Sequence, residues 1–339
     1  MYTAPSQIAE RQIAYFENTQ LLILGEIEDT FALELSKTCQ QVTVVTSNFV
    51  TYQSLVQHAQ LNVHFSVTVP EHVKADTLML YWPKAKAEAK MLLAAALPHL
   101  EGDKEVCVVG ENRSGVKSIE MQFEQYGSIK KFDSARRCSF YWGRVTQDVP
   151  DFDLSQWYTT FTVSAGETDI IVKSLPGVFN HGQLDDGTKL LLANLPKLNG
   201  KVLDVGCGAG IIGSIIAKRN PQVTVHLCDI SAFAIESSKQ TLKANQLEGT
   251  VFASNVYSDV AHKYDAIVSN PPFHAGLDTF YEAAEALLGQ SVAHLHAPGD
   301  IHIVANSFLK YPPIIEKAFG HCNTVEKNRK FAIYHAQRS

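Results

Sequence analysis

The chain has 339 residues, 45% hydrophobic and 19% charged, with a net charge of −6, a balance that fits two cored globular domains and excludes a low-complexity chain. Residues 1–150 carry 14 Lys and Arg against 17 Asp and Glu, and residues 151–339 carry 15 against 18, so any nucleic acid must be held by a local patch rather than by the overall field. No apolar run reaches membrane-spanning length, the N-terminus lacks a basic-then-apolar leader, and the six cysteines form no C-x-x-C pair, which together read as a reduced cytosolic protein without structural disulfide or zinc site.

Leu21-Leu22-Ile23-Leu24-Gly25 reads as a buried strand running into glycine, and Gln41-Val42-Thr43-Val44 as the next strand. Both recur, as Val202-Leu203-Asp204-Val205-Gly206 and Gln222-Val223-Thr224-Val225, at one spacing of 181 residues. Leu80-Tyr81-Trp82-Pro83 matches Ser269-Asn270-Pro271-Pro272 at a spacing of 189, and Val106-Cys107-Val108-Val109 matches Ile301-His302-Ile303-Val304 at 195. The pattern is a duplicated domain with short insertions in the second copy. The copies part at polar positions: Ile23 stands opposite Asp204, Ile27 and Asp29 opposite Gly208 and Gly210, and Asn48 opposite Asp229. Residues 1–150 therefore read as the same fold without its ligand site, and 151–339 as the working copy. Strands alternate with helical stretches in both, which predicts parallel sheets with helices on both faces. The intervening stretch is rich in β-formers around Ala165-Gly166-Glu167 and predicts a hairpin. Asp185 and Thr188 belong to a helix cap, and are candidate ligand contacts as well.

The glycines of Asp204-Val205-Gly206-Cys207-Gly208-Ala209-Gly210 let a backbone approach a ligand, and the helix that follows offers free N–H groups to an anion. The third glycine comes one residue too early for a dinucleotide loop, and Asp204 would repel a pyrophosphate. A ligand carrying both an ammonium and a carboxylate fits better, and S-adenosylmethionine is such a ligand. Asp229 ends the next strand, placed for two ribose hydroxyls, for capping the helix from Ser231, or for both, with Ile230 beside it; Asn255 and Val256 end a third strand, where Asn255 reads as an acceptor for an adenine amino group or as a plain turn residue. Asn270-Pro271-Pro272-Phe273 follows the apolar run Ala266-Ile267-Val268-Ser269. Two prolines forbid helix and ladder alike, leaving a stiff turn with an amide, a carbonyl and a ring suited to a flat nitrogen-bearing group.

VLDVGCGAG, the strand-end Asp229 and NPPF, in that order, resemble a class I S-adenosylmethionine-dependent methyltransferase. With the altered N-terminal copy, Leu175-Pro176-Gly177-Val178-Phe179, His274 and Ile303-Val304-Ala305-Asn306-Ser307-Phe308-Leu309, the whole chain is similar to the ribosomal RNA small subunit methyltransferase C family. The resemblance implies an α/β chain of two tandem Rossmann-like domains, the first degenerate and turned to RNA binding and support. It further implies an enzyme that methylates the exocyclic N2 of one guanine, guanine 1207 of helix 34, in the 16S rRNA of the small subunit, acting as a cytoplasmic monomer. The expected cofactor contacts are Asp204, Gly206, Cys207, Gly208, Gly210, Asp229, Ile230, Asn255, Val256, Asn270, Asp185 and Thr188. The expected catalytic set is Asn270, Pro271, Pro272 and Phe273.

Lys130, Lys131, Arg136, Arg137 and Arg144, interleaved with Phe132, Phe140, Tyr141 and Trp142, are the densest basic stretch, read equally as an RNA grip or a solvated face over a core strand. His294, His296 and His302 read as structural rather than metal-binding. Three other readings stand beside the main one. A large-subunit rRNA guanine-N2 methyltransferase shares the build; a protein glutamine methyltransferase fits the N-P-P grip but not Phe273; an RNA-binding assembly factor fits the first half better than the second.

Overall fold

In the computed structural model the described residues are 2–179, 182–271 and 277–339, with side chains described from residue 284 onward in the last stretch. Pro272, Phe273 and His274 thus lie outside them. The chain divides into two compact units between Trp157 and Tyr158.

The first unit runs α1 (Ala4–Glu10), β1 (Gln20–Gly25), α2 (Phe31–Leu35), β2 (Gln41–Thr46), α3 (Phe49–Leu55), β3 (Asn62–Phe65), β4 (Ala75–Tyr81), α4 (Lys86–Ala96), β5 (Leu100–Glu111), α5 (Ile119–Phe123), β6 (Gly127–Ala135) and β7 (Cys138–Val145). The second opens on a hairpin, β8 (Thr159–Ala165) and β9 (Thr168–Ser174), turning at Gly166 and Glu167. It continues α6 (Asp186–Asn194), β10 (Lys201–Val205), α7 (Ile211–Arg219), β11 (Thr224–Asp229), α8 (Ala232–Ala244), β12 (Thr250–Ala253), β13 (Tyr264–Ser269), α9 (Leu277–Gln290), β14 (Leu295–Asn306), α10 (Tyr311–Phe319), β15 (Asn323–Lys327) and β16 (Phe331–Arg338).

The two sheets repeat one topology. The orders are β3-β2-β1-β4-β5-β7-β6 and β12-β11-β10-β13-β14-β16-β15, parallel except for the last two strands of each. The central strands are covered on both faces, which is why Leu21 to Leu24 and Val202 to Val205 are buried without alternation. Register fixes the correspondence. Leu21 pairs with Thr77 as Val202 pairs with Ala266, so Tyr81 is the counterpart of Asn270 at a spacing of 189. Thr77 pairs with Glu105 as Ala266 pairs with Asp300, the spacing of 195. The match of β2 to β11 needs correction. Gln20 pairs with Gln41 whereas Lys201 pairs with Thr224, a spacing of 183, so the residue opposite Asp229 is Thr46 and not Asn48. The cause is the longer helix of the second copy, nine residues in α7 against five in α2, with the sequence echo at Gln222 falling in the loop it displaces.

In the first unit the crevice at the ends of the strands is filled. Gly25 has φ +96°, and a Cβ there would lie 1.9 Å from the Tyr81 carbonyl oxygen. Tyr81 is buried and shares a hydrogen bond of 2.9 Å with Ser6 on α1. Asp29 accepts from the Thr3 backbone N–H and the Ser6 hydroxyl.

Candidate active site

In the second unit the same place is open. Gly206 has φ +71° with nothing within 4 Å of a Cβ built there. It borders a cavity of about 350 Å³ at the carboxyl ends of β10, β11 and β13, where ligands of open parallel sheets bind. Of the expected contacts, Gly206, Gly208, Asp229, Ile230, Asn255, Val256, Asn270 and Pro271 line this cavity.

Asp229 is held there by backbone. Its Oδ2 accepts from Gly208 N–H at 3.0 Å and its Oδ1 from Ser231 N–H at 2.9 Å. Burial pushes its carboxyl up while these N–H groups pull it down. A carboxylate offers about four acceptor positions, so lone pairs remain for hydroxyls of a ligand. Val256 has φ +55°, a conformation a β-branched residue takes at a cost, and the Ser254 hydroxyl fixes its carbonyl at 3.0 Å.

The other expected contacts stand behind the wall. Asp204 is 1% exposed; its Oδ2 accepts from Gly213 N–H at 2.9 Å, capping α7, and its Oδ1 has no partner among the described residues. Burial pushes its pKa up to about 7, with Asp229 adding to the rise. Gly210, at φ +76°, packs against Ser238, and the buried Cys207 thiol contacts the Ser238 hydroxyl at 3.2 Å. Asp185 is the N-cap of α6, accepting from Thr188 N–H at 2.8 Å.

Asp185 and Thr188 act on the cavity through Asn270. The Asn270 Nδ2 donates to Asp185 Oδ2 at 2.9 Å and to Thr188 Oγ1 at 2.7 Å. A carboxylate only accepts, so the amide nitrogen must face it. Asn270 Oδ1 is then left as a buried acceptor with no partner among the described residues. An unmet buried acceptor costs about 1–3 kcal/mol and calls for a structural or functional reason.

Other parts of the wall escape a reading of the sequence. Gly177, with φ +85°, and Phe179 stand out there only through the family likeness. Leu287 and Tyr311 come from α9 and α10, whose sequences look like ordinary core.

The basic stretch lies in the first unit. Lys130, Lys131, Arg136 and Arg137 are exposed on β6 and its turn into β7, with both arginines at positive φ. Arg144 pairs with Glu105 at 3.0 Å. Phe140 and Tyr141 are core, because β7 is an interior strand. The exposed rings are Phe132 and Tyr15, 5.6 Å apart edge to face.

Fold and cavity define a methyltransferase: residues 6–161 match the family described as methyltransferase small domain N-terminal, and residues 169–335 match the methyltransferase small domain. The chain is 54% identical to the ribosomal RNA small subunit methyltransferase C of Vibrio parahaemolyticus, over 100% of this chain and 99% of that one. It is 53% identical to the protein of that name from Vibrio vulnificus, over 99% of each. It therefore belongs to the ribosomal RNA small subunit methyltransferase C family. A solved structure of the T. thermophilus 16S rRNA guanine-1207 N2 methyltransferase, with AdoMet and guanosine, shares the fold with a TM-score of 0.83 at 22% identity, covering 94% of this chain and 88% of that one.

Proposed function

We propose that this chain methylates the exocyclic N2 of a guanine in the 16S rRNA of the small ribosomal subunit, guanine 1207 by family, using S-adenosylmethionine, as a cytoplasmic monomer. The observation that carries this reading is Asn270, a cavity-lining residue whose amide nitrogen is clamped by Asp185 and Thr188 while its oxygen is left without a partner among the described residues.

The cavity fits the cofactor by its donors and acceptors: Gly206 and Gly208 let the backbone come close, Asp229 keeps acceptor positions for a ribose, and Asn255 and Val256 line the same cavity. S-adenosylmethionine supplies a methyl group on a sulfonium. Asp204 and Gly210 shape the glycine turn from beneath.

The guanine amine is a poor nucleophile because its lone pair is delocalised into the ring. Asn270 Oδ1 and the Pro271 carbonyl accept its two N–H groups, localise the lone pair and aim it. Orientation of this kind supplies about 7–11 kcal/mol in good cases, so no strong general base is required. Phe273 stacks on the base. A guanine in a folded helix has to leave its stack to reach the cavity, at a cost of about a few kcal/mol. The first unit, with its crevice filled, serves as RNA-holding support through Lys130, Lys131, Arg136 and Arg137; Arg144 joins them only by leaving Glu105.

The test is incubation with labelled S-adenosylmethionine and each ribosomal subunit, followed by mapping of the modified base. Label at guanine N2 in the small subunit is expected; label confined to the large subunit would move the chain to the alternative rRNA specificity. Absence of cofactor binding by calorimetry would leave only an RNA-binding factor.

A further inference from the structure

Outside the cavity lining, β14 and β16 run antiparallel with His302 opposite His335 and Asp300 opposite Gln337. Residues two apart on a strand share a face, so Asp300 and His302 project on the same side as His335 and Gln337. The two imidazoles stack at 4.9 Å between centroids. His335 Nε2 lies 2.9 Å from Asp300 Oδ1, and the Gln337 side-chain nitrogen 3.2 Å from the same oxygen. One ligating atom from each of Asp300, His302 and His335 falls within 4.8 Å of the others.

The histidines singled out in the sequence are not brought together. His294 stacks on Tyr257 at 4.5 Å and His296 is exposed. His302 instead joins His335, thirty-three positions later and across a strand pair.

A second observation sets this cluster apart from a surface ion pair. His302 is 4% exposed, and its Nε2 has no partner among the described residues. A buried ring nitrogen is normally paired. Two imidazoles and one carboxylate form a borderline donor set that suits zinc and its first-row neighbours and disfavours magnesium or calcium. Asp300 and His335 keep 30% and 25% of their side chains exposed, which gives an ion a way in and leaves a coordination position for water.

We propose that Asp300, His302 and His335 bind a divalent transition-metal ion that ties β14 to β16. Both strands pack against α6, the helix whose first turn holds Asp185 and Thr188. Two imidazole nitrogens and one carboxylate oxygen bind the ion, with water completing the shell.

The untagged chain, stripped with EDTA and then freed of it, is titrated with zinc sulfate by calorimetry and with cobalt chloride by visible absorption. One equivalent of each is expected, with d–d bands of a low-coordinate cobalt site and no thiolate charge transfer. The melting temperature should rise as zinc is added, since the ion binds the folded state. Cobalt should shift and broaden the ring resonances of His302 and His335 in the wild-type chain. His335→Ala and Asp300→Asn, both at partly exposed positions, should weaken zinc binding at least about tenfold while circular dichroism stays native. Failure of the wild-type chain to take up one equivalent, or full affinity retained in both variants, overturns the proposal.

Discussion

The Asn270 side-chain nitrogen lies 2.9 Å from Asp185 Oδ2, a bond that spans 85 residues of sequence and decides which end of the amide is left without a partner among the described residues. The first unit keeps the same relation without its chemistry. Thr3, Ser6 and Tyr81 stand where Asp185, Thr188 and Asn270 stand, and the Ser6–Tyr81 hydrogen bond replaces that of Thr188 and Asn270. A tyrosine stands where the second unit has an amide whose oxygen has no partner among the described residues.

Asp185→Ala removes both the clamp and the cap of α6. It should cost about 0.5–2 kcal/mol of stability, read from the urea midpoint. Thr188→Val, which keeps the shape and removes one acceptor, should lower kcat on small subunits and leave cofactor affinity within a factor of about two, because the side chain stands behind the cavity wall.

The pH dependence of stability should report Asp204. Its folded pKa of about 7 is above the unfolded carboxyl range, so the folded state holds the proton more tightly. Stability from this group is therefore greatest below about pH 4 and is lost as pH rises to about 7. Asp204→Asn keeps an acceptor for Gly213 N–H and cannot ionise. It should come close to the wild type near pH 4 and exceed it increasingly as pH rises, by a few kcal/mol near pH 8, in urea titrations of the cofactor-free chain.

Gly25 and Gly206 make a matched pair. Alanine at Gly206 meets open space and should cost about 1–2 kcal/mol of left-handed strain, while placing a methyl group on the cavity wall and weakening cofactor binding. Alanine at Gly25 drives a Cβ into the Tyr81 carbonyl and should destabilise the first unit by well over that amount, with no direct effect on the cavity. Thermal melts and calorimetry of both variants separate the two outcomes.

Charge reversal at Arg136 and Arg137 should weaken rRNA binding and lower the salt slope by about one for each phosphate no longer neutralised. Phe132→Ala should cost about 1–3 kcal/mol of binding if a base stacks there. Methyl transfer to a free nucleoside should be unchanged in both. Equal binding by wild type and the charge-reversed variant would reduce the stretch to edge-strand solvation.

Much of this architecture was legible because strand burial leaves a direct trace. The apolar runs at Leu21 and Val202 and the spacings of 189 and 195 mark equivalent strands, and the sheet registers agree with them. The echo at Gln222 misled by two residues, since a Q-V-T-V pattern carries no information about the length of the helix before it. The glycine loop, Asp229 and Asn270 were readable because backbone conformation and strand ends demand particular residue types. Asp185 was readable as a cap, but its bond to Asn270 depends on a fold that brings positions 85 apart together. Phe140 and Tyr141 looked like binding aromatics next to basic residues. They are core because β7 has a neighbour on each side, a property of topology that composition does not carry.

The most direct test is single-turnover methylation of small ribosomal subunits by Asn270→Ala, with S-adenosylmethionine affinity measured in parallel. Loss of an oriented polar group of this kind typically costs about 10²–10³ in rate. The expected result is a loss of that size with cofactor binding intact. Wild-type turnover in the variant would contradict the assignment of Asn270 as the residue that positions the reacting nitrogen.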